Sequence, residues 1–161
     1  MRVTQDEIRR RFRRRGLRVT PQRVAIYEAL VNTALHPTAE QLLASVRRRL
    51  PDVSVNTVYY TLGALREADL VHEVNYGHES ARFDGNVEPH HHLVCRTCRR
   101  IFDVHDEALD RIPLEAAEPS HFAVTGHRVE IYGHCAACRA RSELKHGCDD
   151  TNRIHHRPTR R

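Results

Sequence analysis

Over the first 70 residues, apolar side chains recur at three- and four-residue steps; beyond them, apolar and polar positions alternate. The chain therefore reads as helices followed by strands. Thr4-Gln-Asp-Glu7 has the form of a capping box and opens a helix that becomes arginine-rich through Arg15 and stops at Gly16. Thr20 before Pro21 opens a second helix, to about Asn32. A second capping box, Thr38-Ala-Glu-Gln41, starts a third that runs through LLASVRRRL to the stop at Pro51. Ser54 caps a fourth, VNTVYYTLGALREADL, in which Val55, Val58, Tyr59, Leu62, Leu65 and Leu70 fall mostly at helical spacing.

Two alternating runs follow, LVHEVNY and SARFD, joined by GHE, which read as a β-hairpin. Helix, helix, helix, hairpin is the order of a winged helix-turn-helix, with the helix from Val55 as recognition helix and the hairpin as wing. A small α+β domain that binds nothing would show the same order. Beyond a polar hinge near Asp84–Pro89, HHLVC, RIFDV, HFAVT and HRVEIYG read as strands, with a helical stretch around Glu107–Glu118 between the two pairs. They predict an antiparallel sheet with one crossing helix. From Gly147 the apolar period is lost, which predicts a disordered tail.

Charge divides the chain the same way. Residues 1–80 carry 13 basic and 9 acidic side chains, residues 81–152 carry 9 and 12, and four arginines fill the tail. Twelve of the 13 histidines lie after residue 70. The first half suits a polyanion and the second suits cations. No apolar run approaches the roughly 18 residues a membrane helix needs, and the charged N-terminus leads into no hydrophobic segment. A cytoplasmic protein with no membrane partner is expected.

The strongest chemical signal is Cys95-x2-Cys98, then 36 residues, then Cys135-x2-Cys138. Two such turns aim four thiolates at one tetrahedral ion, and a closed set of soft ligands suits structural Zn²⁺. A thioredoxin-type pair needs one CxxC at the start of a helix after a strand, whereas each pair here is expected at a strand end. Cys148, in the tail, is expected to be a free thiol. The histidines of EPHHHLVCRTCRRIFDV are then left for another purpose. On a strand His90 and His92 share a face and His91 takes the other, and Asp103 on the next strand can join the first face. Histidines that merely decorate an exposed strand give the same pattern.

HPTAEQL, SVNTVYYTLGALREADLV, SARFD, HHHLVCRTC and IYGHCAAC, in this order over residues 8–143, resemble the ferric uptake regulator (Fur) family of bacterial repressors. The resemblance implies an α+β homodimer. Each subunit would have a winged-helix DNA-binding domain over 1–84, a small α/β dimerisation domain with the Cys₄ zinc site over 85–146, and a basic tail over 147–161. It further implies a regulatory site of His36, Asp84, His90, His92 and Asp103, a nitrogen and oxygen set suited to Fe²⁺ or Mn²⁺. Asp103 stands where iron sensors usually carry glutamate, and with the HPTAEQL and SARFD segments it points to the peroxide-sensing (PerR-like) branch. An iron-responsive regulator is the second reading.

In that branch the expected action is repression of operator DNA. His36 or His90 is the oxidation-sensitive ligand, and peroxide is the sole small molecule consumed. Arg13, Arg14, Arg15, Arg18 and Arg23 are expected on the DNA backbone, with Asn56, Thr57 and Tyr59 near base edges. His91, Asp110 and His127 partly match an accessory metal site, although Pro89 replaces one of its usual ligands. Arg99 replaces a usual glycine, and Tyr60 stands where iron sensors often carry arginine. A mononuclear His/Asp enzyme is the rival class, but no HExxH, Ser-His-Asp order or Gly-rich phosphate loop supports it. A zinc-stabilised interaction module without DNA is the third.

Overall fold

Caps and stops set the four helices of the amino-terminal half. The computed structural model describes residues 2–75, 80–112 and 123–146, with backbone alone over 142–146. Helix α1 spans Gln5–Arg14, and its cap Thr4 accepts the Glu7 N–H. The other half of that expected box does not form, because the Glu7 carboxylate is taken by Arg10, Arg11 and Arg14. Gly16 ends the helix at φ +69°. Its N–H returns to Arg13 O and that of Leu17 to Phe12 O, the paired closure that a left-handed residue permits.

Helix α2 (Pro21–Val31) starts on the Thr20 cap and buries Val24, Ile26, Tyr27 and Leu30. Helix α3 (Ala39–Arg47) has the complete capping box of Thr38 and Gln41. It ends before the expected Pro51, since Arg49 and Leu50 N–H both turn back to Val46 O and the Arg47 side chain bonds Val53 O. Helix α4 (Val55–Glu67), capped by Ser54, buries Val58, Thr61, Leu62 and Leu65. Val55 and Tyr59 fall on its exposed side. The helix closes as α1 does, but with Asp69 at φ 52° in the glycine position.

One apolar cluster joins these helices, from Ile8 and Phe12 through Tyr27, Leu42 and Leu62 to Phe83. Strands β1 (His72–Val74) and β2 (Arg82–Asp84) pair antiparallel, with His72 opposite Asp84. The expected GHE connection lies outside the described residues. On its other edge β2 holds the segment before α3: Thr38 bridges to Arg82, and Phe83 N–H donates to Pro37 O.

The second half is a three-stranded sheet in the order β4-β3-β5, from β3 (His91–Cys95), β4 (Ile101–Val104) and β5 (Glu130–Gly133). β3 and β4 form the expected antiparallel pair, while β5 lies parallel to β3. Alternation is the same for either direction, and a parallel neighbour needs a long crossover such as the one after β4. The expected helix shows four residues, α5 (Glu107–Asp110). Its remainder from 113 and the start of HFAVT lie outside the described residues, and 123–125 form no strand. Helix α6 (Ala136–His146) follows β5. The expected disordered tail, with Cys148, lies outside the described residues.

Candidate metal centre

Local geometry delivers the sulfurs first. Cys95 ends β3, and Cys98 lies on the turn after it. Cys135 and Cys138 stand at the opening of α6, so the second pair begins a helix rather than only ending a strand. All four are free thiols whose sulfurs lie within 4.8 Å of one another. Cys98 and Cys135 sulfurs are 3.7 Å apart, close to the roughly 3.8 Å edge of a tetrahedron with 2.3 Å zinc–sulfur bonds. The N–H groups of Cys135 and Cys98 pull the Cys95 thiol down to about 5. Burial, with the neighbouring thiols, pushes Cys138 up to about 12. Four such thiols ionise together only around a cation, and the cluster fits structural Zn²⁺.

The second cluster draws on both halves. His36 comes from the segment after α2, held by its own carbonyl, which accepts from the Arg82 guanidinium at 3.0 Å. Asp84 ends β2, followed by Gly85, where a Cβ would come within 3.0 Å of Val31 Cγ1 and 3.1 Å of its Cα. That close approach needs glycine at the start of the hinge. His90 immediately precedes β3, and His92 on β3 stands opposite Asp103 on β4.

The ligand atoms of His36, His90, His92 and Asp103 lie within 4.8 Å of one another. Asp84 Oδ2 sits 2.9 Å from His90 Nε2 and 3.5 Å from both His36 and His92 Nε2. Asp103 Oδ1 is 3.2 Å from His36 Nε2. The histidines and Asp84 are buried, while the Asp103 side chain is 33 % exposed.

Hydrogen bonding accounts for only part of this convergence. His90 and His92 Nε2 face each other at 2.9 Å. Both ring nitrogens of His36 and Oδ2 of Asp84 are buried with no hydrogen-bond partner, since the close approaches miss hydrogen-bonding directions. Burial pushes the Asp84 carboxyl up, but His36 and His92 beside it and the Asn86 N–H outweigh that and hold it well below the usual range. Orphaned buried donors and acceptors are costly. A divalent cation at their focus removes that cost, and this nitrogen and oxygen set fits Fe²⁺ or Mn²⁺. A cleft of 340 Å³ bounded by Val3, Arg11, Leu35 and Asn86 reaches His36, Asp84 and Asp103.

The other expected residues are placed as follows. His91 faces away from the cluster, its Nδ1 accepting the Val129 N–H and its Nε2 3.0 Å from Asp110. His127 packs against the His91 ring and its Nε2 donates to Leu109 O, so the accessory trio are neighbours in which both His91 nitrogens and His127 Nε2 are engaged. Arg13, Arg14, Arg15 and Arg18 are exposed. Arg14 bonds Glu7, Arg15 lies 3.5 Å from Asp69, and the half-buried Arg23 donates to Arg18 O. Asn56, Tyr59 and Tyr60 face solvent on α4, and Thr57 is half-buried beside Ser54. Arg82 and Glu40, whose carboxylate accepts the Tyr59 hydroxyl, carried no sequence signal beyond their place in SARFD and HPTAEQL.

The chain is similar to known proteins over most of its length. The model of the ferric uptake regulator family matches residues 14–132. The chain is 45 % identical over 123 residues to the peroxide operon regulator of Bacillus subtilis, covering 76 % of this chain and 85 % of that one. It is 39 % identical over 128 residues to the peroxide-responsive repressor PerR of Staphylococcus epidermidis, covering 80 % and 85 %. The Campylobacter jejuni peroxide stress regulator superposes with a TM-score of 0.64 at 25 % identity, over 84 % of this chain and 99 % of that one.

Proposed function

Because the chain belongs to the ferric uptake regulator family, we propose that it is a metal-dependent, DNA-binding transcriptional repressor that senses hydrogen peroxide. One observation carries the reading: buried, unpartnered atoms of His36 and Asp84 meet His90, His92 and Asp103 from the other side of the hinge. Residues 1–84 then form the DNA-binding lobe and 85–146 the dimerisation lobe. No described helix is long and apolar enough to cross a membrane.

His36 and Asp84 bind from the first lobe and the other three ligands from the second, so a shared cation fixes the lobes against each other. In a dimer this fixes the separation of two α4 helices, which must match half-sites about one turn of DNA apart. The dimer face is the apolar row Phe102, Leu93 and Ile131, register neighbours across the sheet and each more than a third exposed. Arg13, Arg14, Arg15, Arg18 and Arg23 supply phosphate contacts, and Asn56, Thr57 and Tyr59 meet base edges.

Fe²⁺, which His36, Asp84, His90, His92 and Asp103 would hold, would mediate cleavage of the peroxide O–O bond, the two electrons coming in net from the oxidised imidazole. The His36 or His90 imidazole takes up one oxygen, its ring C–H becoming C–OH while the other oxygen leaves as water. The oxygenated ring loses its basic lone pair, ligation across the hinge fails, and DNA is released. Each subunit consumes about one peroxide, as a sensor and not a turnover catalyst.

The test is an operator gel shift with the Fe²⁺ and Mn²⁺ forms before and after peroxide, with peptide mass spectrometry. The ferrous form is expected to leave the DNA with one oxygen on the peptide containing His36 or His90, and the manganese form to stay bound. A ferrous form that keeps its DNA and gains no oxygen rules the reading out.

A further inference from the structure

On the exposed face of α4 an acid from α3 holds a tyrosine hydroxyl. Tyr59, 47 % exposed, donates its hydroxyl to Glu40 Oε1 at 2.7 Å. Glu40 is itself exposed, in the first turn of α3. This hydrogen bond holds the Glu40 carboxyl below its ordinary value and the Tyr59 phenol above its own. An acid on a surface that meets a polyanion repels every duplex alike, so it reduces affinity without regard to sequence. Its compensating effect is on the phenol. An exposed tyrosine samples several rotamers, and a tether to a neighbouring helix selects one before DNA arrives.

Glu40 is also four residues from His36, and the connection is tightly held. The His36 carbonyl accepts from Arg82, Pro37 O accepts from Phe83 N–H, and Thr38 both bridges to Arg82 and caps α3 through its box with Gln41. A displacement of the His36 segment therefore reaches the first turn of α3, and through Glu40 the face of α4.

We propose that Glu40 is a positioning residue for operator reading, holding the Tyr59 ring in its base-contacting pose and linking that pose to the His36 segment. The inference rests on the repressor reading, in which α4 enters the major groove. The test uses the full chain loaded with Mn²⁺ and a duplex it selects from a random pool, read as the ratio of affinities for selected and scrambled duplexes.

Glu40→Ala is expected to lower that ratio about tenfold, and Glu40→Gln, which keeps an oxygen acceptor, to stay within about twofold of wild type. Tyr59→Phe should match Glu40→Ala, and the double variant should fall no lower, because both remove the same contact. Melting temperature and Mn²⁺ affinity should not move. The proposal is overturned if Glu40→Ala keeps the ratio, if Glu40→Gln falls as far as Glu40→Ala, or if the double variant shows the product of the two single losses. A wild-type chain that selects no sequence overturns the repressor reading and this inference together; a preference that survives Glu40→Ala overturns this one alone.

Discussion

Sixteen buried apolar side chains, from Ile8 to Phe83, pack as one cluster in the amino-terminal lobe. Among the described residues of the other lobe, the buried aliphatic side chains are Val94 and Ile101, beside Cys95, Cys138 and three consecutive histidines. The amino-terminal lobe is the longer, and the two stand on different physics. The first buries enough carbon to balance the entropy of ordering its helices. The second leaves Leu93, Phe102 and Ile131 partly in water and gathers thiols and imidazoles suited to metal ions.

Stripping zinc is the strongest way to break this contrast. Structural zinc contributes on the order of 10 kcal/mol to small folds, far more than two buried aliphatic residues can replace. Chelation under denaturing-free conditions should abolish amide protection in β3, β4 and β5 while α1 to α4 stay protected, as hydrogen exchange would read. Equal protection before and after chelation would show that the second lobe has a core of its own. The converse variant is Leu62→Ala, expected to cost the first lobe about 2–5 kcal/mol. Its helical signal should melt earlier, while the thiolate absorption of a cobalt-substituted Cys₄ site persists at the same temperature. Simultaneous loss of both signals would mean the lobes unfold as one.

The smallest effect concerns one turn. Asp69 takes the left-handed position that closes α4, with Leu70 N–H on Leu65 O, and its ion pair with Arg15 is exposed. Asp69→Gly should raise stability by about 1 kcal/mol, since glycine adopts that φ without strain and an exposed pair is worth little. A lower melting temperature would mean the pair with Arg15 outweighs the backbone strain.

The first lobe was legible because its signals are local. Thr20, Thr38 and Ser54 each accept an N–H three residues on, so cap and helix start lie within one turn of sequence. Even there, competition blurred one signal: Glu7 had the spacing for a capping box, but three arginines on its own helix took its carboxylate. In the second lobe, alternation separated His91 from His90 and His92 correctly, because a strand fixes which side chains share a face. It was silent on direction, so β5 could be placed as a strand but not as parallel to β3. The second CxxC was legible as a ligand pair, yet its position at the opening of α6 was not.

By itself, then, the sequence determined where helices begin, which face each histidine takes, and that four thiols come in two pairs, since each depends on residues a few positions apart. Tertiary structure alone decided that the His36 ring meets Asp84, His92 and Asp103, that Arg82 grips the His36 carbonyl 46 residues away, and that Glu40 lies under the Tyr59 hydroxyl. Those contacts depend on how one lobe's apolar cluster settles and where the hinge then carries the other, and no local pattern encodes a distance across that gap.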